Sequence, residues 1–145
     1  MNFFDLTLSN AKDINIMLKE SHAFCGFSVG DLEHAREFYG NTLGLDIRDN
    51  PMGLLELHVR NGNRVLIYPK SDHQPATFTV LNFPVTNIEN VVDQLSAKGV
   101  NFENYGGEIK TDNRGIYSSP SGGLKIAWFK DPAGNILSIL EEKSQ

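Results

Sequence analysis

Two stretches of this chain carry one pattern. Phe27-Ser28-Val29-Gly30-Asp31-Leu32-Glu33 returns as Phe83-Pro84-Val85-Thr86-Asn87-Ile88-Glu89, at one constant offset through the run. Each copy is an alternating apolar stretch, then a helix-capping residue, then a helix-period pattern. Each pattern closes on a glycine, Gly44 or Gly99. A repeat longer than one element and shorter than a domain implies two similar supersecondary units in one fold. Function is then sought where the units meet.

The length of 145 residues suits a single domain with a proper core. The net charge of −5 argues against binding a phosphate backbone, because no basic stripe is present. It favours, weakly, a cationic partner. No apolar run reaches the roughly 18 residues of a membrane span, and no basic segment precedes an apolar one at the N-terminus. The cytoplasm is the expected compartment. The single cysteine, Cys25, excludes an internal disulfide; it lies in an apolar run, where a buried, inert thiol is expected.

Residues 1–21 stand outside the repeat, and Asn10 predicts a helix over Ala11–Glu20 with Ile14, Met17 and Leu18 on one face. Residues 22–145 read as one domain with units 22–70 and 77–142. In the first unit a strand near His22–Val29 precedes the cap Asp31. Leu32, Ala35, Phe38 and Tyr39 make the buried helix face. Strands follow at Leu45–Arg48, Leu54–Arg60 and Arg64–Tyr68, with turns at Asn50–Gly53 and Asn61-Gly62. After the linker Lys70–Ala76, Thr77–Val85 is a strand. Thr86 with Glu89 has the form of a capping box. Ile88, Val91, Val92 and Leu95 are the buried stripe. Val100–Tyr105, Leu124–Phe129 and Ile136–Glu141 read as strands. The polar stretch Gly106–Ser121 holds at most one more, and Asp131–Asn135 is a tight turn.

Val29, Asp31, Leu32, Ala35, Phe38, Tyr39, Leu43, Gly44 and Leu45, followed by Phe129, Asp131, Pro132, Gly134 and Asn135, form two motifs in fixed order. With the repeat between them, the chain resembles the vicinal oxygen chelate superfamily of glyoxalases, bleomycin-resistance proteins and extradiol dioxygenases. The resemblance covers about residues 22–142. It implies an α+β fold of two βαβββ units whose curved mixed sheets surround a cup, here with an extra N-terminal helix. It also implies a homodimer. The motif residues themselves read as scaffold: a cap, packed aromatics and a turn.

The family's metal ligands stand at four places, which fall here on Phe24, Leu66, Val80 and Ser138. Three are hydrocarbon side chains, and divalent transition metals need imidazole, carboxylate or thiolate donors. No metal and no other cofactor is therefore expected. A displaced site built from His22, Glu56 and His58 is the alternative, and would suit a metal-dependent lyase, dioxygenase or thiol transferase. His34 and His73 read as solvated.

Strand alternation outward from those four places sorts a lining. Its apolar walls are Phe24, Leu66, Phe78, Val80 and Trp128. Its polar handles are Ser28, Tyr68, Asn82, Tyr117 and Ser138. Such a lining suits a small organic ligand, a drug or metabolite that is partly aromatic or cationic. Phe24, Phe78 and Val80 equally suit the filling of a core. Glu56, His58 and Tyr117 are the candidates for acid–base chemistry, although which face of its strand Glu56 occupies is open. A regulatory or structural dimer with a vestigial cup is the third function class. No nucleic-acid or membrane partner is expected.

Overall fold

The computed structural model describes residues 17–143. Eight strands form two open, four-stranded mixed sheets of the same plan. The first contains β1 (Cys25–Val29), β2 (Asp46–Asn50), β3 (Leu54–His58) and β4 (Arg64–Pro69), in the order β1-β4-β3-β2. The second contains β5 (Thr79–Pro84), β6 (Ile116–Ser118), β7 (Leu124–Lys130) and β8 (Ile136–Glu142), in the order β5-β8-β7-β6. In each sheet the first and last strands of the unit pair in parallel and the remaining pairs are antiparallel. The α+β class and the two repeated units expected from the sequence are present.

Each parallel pair needs a crossover, and one helix supplies it in each unit. Helix α1 (Leu32–Arg36) starts at Asp31, whose carboxylate accepts from the backbone N–H of Glu33 and His34. That satisfies two of the donors a helix start leaves open. The chain then widens into a π-helical turn over Glu37–Thr42, and Gly44 reverses it at φ 71°. Helix α2 (Ile88–Ala97) is regular. Its cap is Asn87, which accepts from Asn90 N–H at 3.0 Å. The capping box expected on Thr86 does not form, because the Glu89 carboxylate instead meets Lys125 Nζ at 2.6 Å.

The helices decide which face of each sheet is core. Alternate residues Phe27, Val29, Leu55, Leu57, Val65 and Ile67 are buried with Ala35 and Tyr39. In the second unit Phe129, Ala127, Leu137 and Ile139 are buried with Ile88 and Val92. These residues form one core cluster across the two units. Each such Val, Leu, Ile or Phe side chain contributes about 2 kcal/mol of transfer free energy. The residues between them point to the opposite, helix-free face, called here the open face.

Several expectations are corrected. The helix expected over Ala11–Glu20 lies largely outside the described residues, and its end is a single 3-10 turn, Leu18–Glu20. Cys25 is exposed; it precedes the Phe27 ring that Tyr39 covers at 6.0 Å, so the helix does not shield it. Val100–Tyr105 makes one isolated bridge, Phe102 to Phe129, in place of a strand. Thr111 Oγ1 accepts the Tyr105 N–H that a ladder would use. The second strand of that unit is instead β6, reached through Gly115. A Cβ at Gly115 would lie 2.7 Å from that of Phe102.

The units are joined by a buried polar network. Tyr39 donates from its hydroxyl to Asp131 Oδ2 at 2.7 Å. Asp131 Oδ1 accepts from the backbone N–H of Ala133 and of Asn135, each at 2.9 Å. Asn135 Nδ2 donates to Asp131 Oδ2 and to the Ser28 carbonyl of β1. Burial, and then the neighbouring Asp131 carboxylate, hold the Tyr39 phenol far above its ordinary range, so it remains a donor. Tyr39→Phe is expected to destabilise the protein by about 2 kcal/mol, the cost of a buried carboxylate oxygen losing a partner. Urea unfolding checks this; an unchanged midpoint would show that the network does not join the units energetically.

Candidate functional site

The open face of the first sheet is charged. Register aligns Glu56 with Leu66 and Leu66 with Gly26, His58 with Arg64, and Ser28 with Tyr68. All of these lie on the face away from α1, which resolves the orientation that alternation alone left open. The Glu56 carboxylate is surrounded. Asn50 Nδ2 donates to Oε2 at 2.8 Å, and His58 Nε2 lies 3.0 Å from Oε1. An Arg64 guanidinium nitrogen stands 3.7 Å from Oε1. Asn50 is held in turn by the Met52 N–H, which donates to its Oδ1 across the β2–β3 turn. Burial pushes the Glu56 carboxyl up, but the Asn50 and His58 hydrogen bonds and the Arg64 charge outweigh it, and the group sits below its ordinary range. Arg64 also lies over the Phe24 ring, 4.7 Å from its centroid, a cation–π contact. Asp46 and Arg48 pair with each other beside this group.

The open face of the second sheet is aromatic. Asn82, Ser138 and Trp128 form one cross-strand row. Pro84, Leu140, Ile126 and Tyr117 form the next. Trp128 is flanked by Tyr105, edge-on at 5.4 Å, and Tyr117 at 6.3 Å. Burial, with Glu103 nearby, raises the Tyr105 phenol above its ordinary range. Ser138 is fully buried and donates to Asn82 Oδ1 at 2.6 Å.

The ten residues expected to line a site thus fall into two groups. Phe24, Ser28, Leu66 and Tyr68 belong to the first sheet or its approach. Val80, Asn82, Tyr117, Trp128 and Ser138 belong to the second, with Val80 at a register shift in β5, and Phe78 precedes β5. Phe24 is 38% exposed and Phe78 68% exposed, so neither fills the core. Ser28 Oγ is 2.7 Å from His73 Nδ1, and His73 Nε2 is 3.0 Å from the Ala133 carbonyl. His73, expected to be solvated, instead ties the linker to both units, because the linker crosses the seam at that point. Sequence reasoning missed the parts played by Arg64, Asn50 and Tyr105. The alternation of Glu56 and His58 in β3 was the signal for the charged face.

The four places that would hold the family's metal do not fit one. Phe24, Leu66 and Val80 offer no donor atom, and the single oxygen of Ser138 is bonded to Asn82. Among the described residues no group of three or more His, Cys, Asp and Glu side chains is arranged to hold a metal ion, so His22 does not join Glu56 and His58 in one.

At the seam, a cavity of about 330 Å³ is lined by Val29, Asp31, His34, Ser71, His73 and Ala133, among others. A smaller apolar cleft of about 160 Å³ lies between Leu43 and Leu45 on one side and α2 on the other. Neither contains any of the ten expected lining residues.

The sequence matches the family model for the Glyoxalase/Bleomycin resistance protein/Dioxygenase superfamily over residues 21–139. No curated protein matches it significantly. Among solved structures, the genomically encoded fosfomycin resistance protein FosX from Listeria monocytogenes superposes with a TM-score of 0.65 at 13% identity, covering 85% of this chain and 93% of that one. A superfamily member from Sphaerobacter thermophilus gives 0.63 at 21% identity, covering 85% and 99%. A glyoxalase family protein from Enterococcus faecalis gives 0.59 at 18% identity, covering 88% and 100%. At such identities these likenesses establish the fold.

A carboxyl held below its ordinary range in the folded state stabilises that state above its unfolded pKa, and the contribution is lost as pH falls through the folded value. The stability advantage of the native chain over Glu56→Gln is therefore expected to shrink as pH is lowered from about 5 to about 3, through the carboxylate range. Urea midpoints of the two proteins across that range test it; a constant difference would mean that Glu56 is not held as described.

Proposed function

The chain belongs to the Glyoxalase/Bleomycin resistance protein/Dioxygenase superfamily, and we propose that it binds a small organic molecule, a drug or metabolite, on the open faces of its sheets without a metal ion. The observation that carries this reading is the replacement of donors by Phe24, Leu66 and Val80 at three of the four metal positions, with the Ser138 oxygen turned to Asn82. The walls are Phe24, Leu66, Phe78 and Trp128, whereas Val80 packs against the core. The handles are Tyr68, Asn82 and Tyr117, with Ser138 acting through Asn82 and Ser28 already held by His73. Apolar burial supplies most of the affinity, and the handles set orientation. A fold neighbour whose name records fosfomycin resistance supports the class of small-molecule binder.

The reading includes a homodimer, to which the exposed Met17 and Leu18 bring apolar area. It also includes a cytoplasmic protein; no helix among the described residues is long and apolar enough to cross a membrane. Residues 22–145 act as one domain in it.

Elemental analysis of the purified protein is expected to find no stoichiometric transition metal. About one metal per chain, lost on changing His58 or Glu56 to Ala, would replace this reading with a displaced metal centre. A thermal-shift screen is expected to find a ligand that raises the melting temperature, since binding the folded state stabilises it. Phe24→Ala should weaken that ligand by about tenfold, the worth of a large apolar contact, and Ser138→Ala by less. Unchanged binding in Phe24→Ala would move the site away from these faces.

A further inference from the structure

His58 and Arg64 are direct neighbours across β3 and β4 on the open face. Their hydrogen-bonding capacities are left in complementary states. Glu56, as a carboxylate, only accepts, so the His58 nitrogen 3.0 Å from it, Nε2, carries the proton. Nδ1, on the far side of the ring, has no hydrogen-bond partner among the described residues, and it accepts when Nε2 holds the ring's single proton. The tautomer is fixed from behind, because Asn50 holds the other Glu56 oxygen.

Arg64 is the converse. Its nearest carboxylate oxygen is 3.7 Å away, beyond hydrogen-bond length. Its guanidinium lies over the Phe24 ring and makes no hydrogen bond to a described residue. A planar fork of donors, half-buried with one face on an aromatic ring, therefore stands beside the His58 imidazole on the open face. Directly opposed Cβ atoms on such strands are about 5 Å apart, which one small molecule spans. The face pairs Asp46 with Arg48 and sets Glu56 against Arg64, with the imidazole in addition, so an incoming anion meets no unmatched carboxylate.

We infer that His58 and Arg64 together bind a carboxylic acid bearing a nearby hydroxyl group. The carboxylate takes the Arg64 fork, and the hydroxyl donates to His58 Nδ1. This rests on the proposal that the open faces bind an organic ligand, and it names the class. It sets a hydroxy acid in place of the cationic ligand that the overall charge of the chain favours, because local donors outweigh net charge at contact distance.

Mandelate carries a carboxylate, a hydroxyl on the next carbon and an aromatic ring for the apolar wall. Calorimetry with the full chain should show it binding about tenfold more tightly than phenylacetate, which lacks the hydroxyl, and than 1-phenyl-1,2-ethanediol, which lacks the carboxylate; one such hydrogen bond is worth that factor. Arg64→Gln should remove the advantage over the diol, and Arg64→Lys should retain part of it. His58→Phe should remove the advantage over phenylacetate. Ring nitrogen NMR should report the Nε2-protonated tautomer, with Nδ1 shifting when mandelate is added. The inference is overturned if mandelate does not bind, if the three probes bind equally, or if either advantage survives its variant in a protein whose melting temperature is unchanged. A screening hit that binds through Phe24 but carries no acid would sink this inference and leave the ligand-binding proposal standing. The absence of any hit would sink both.

Discussion

Asp131 is the constraint on which the rest depends. It is a carboxylate buried in a turn, and burying a charge costs several kcal/mol unless its oxygens are satisfied. Each oxygen has two donors here. Two are backbone N–H groups of its own turn, and that turn closes only because Gly134 takes φ 87°. The others come from Asn135 and, from the opposite unit, Tyr39. Asn135 then reaches the Ser28 carbonyl. A turn joining β7 and β8 thereby fixes both the helical segment and the first strand of the other unit. The core across the seam follows from that docking: the Phe38 and Phe129 rings meet at 6.3 Å. Ser28 and its strand neighbours hold their register on the open face because β1 is pinned from behind.

The two units share a framework and differ where the framework leaves them free. Residues facing the helices must be apolar in both, and Phe27, Val29, Phe83 and Val85 repeat accordingly. The open faces are under no such demand. One has become an ionic cluster around Glu56, the other an aromatic group around Trp128. The helix starts also diverge. Asp31 caps α1 unaided, whereas α2 shares the task between Asn87 and the Glu141 carboxylate of β8, which accepts from Ile88 N–H. That bond fastens α2 to its sheet at a point where the first unit relies on packing.

What was legible in the sequence was whatever local chemistry determines. The repeat, the Asp31 cap, the reversal at Gly44 and the Asp131–Asn135 turn need only neighbouring residues. The buried alternation of β3 and β4 also reads directly. Features that depend on distant partners were not legible. Asn87 prevailed over Thr86 because Lys125, far along the chain, draws Glu89 away. Val100–Tyr105 has strand-like composition but loses its ladder to Thr111. His73 looked like a linker residue until the linker was seen to cross the seam. Tyr39 read as a packed aromatic because nothing near it in sequence announces Asp131. The lining residues were sorted by period alone, and period gives a face without saying which hydroxyls are already engaged, as Ser28 is with His73 and Ser138 with Asn82.

The engaged groups limit how a ligand is held. A metal ion orients a substrate by fixing its oxygens at short, directional bonds. Without one, orientation must come from protein groups that are rigid before the ligand arrives. On the aromatic face the rigid groups are rings, which select flat apolar surface and say little about polar orientation. On the charged face Glu56 is held from three sides, and its rigidity passes to His58. Arg64, resting on Phe24, keeps its planar fork in a defined attitude. Discrimination by charge in the proposed binding therefore belongs to the first unit, while both units bring apolar surface, Phe24 and Leu66 in one and Trp128 in the other. Phe24, 38% exposed, is the aromatic surface on which the first unit's cation rests, so polar and apolar contacts with a ligand would meet at that ring.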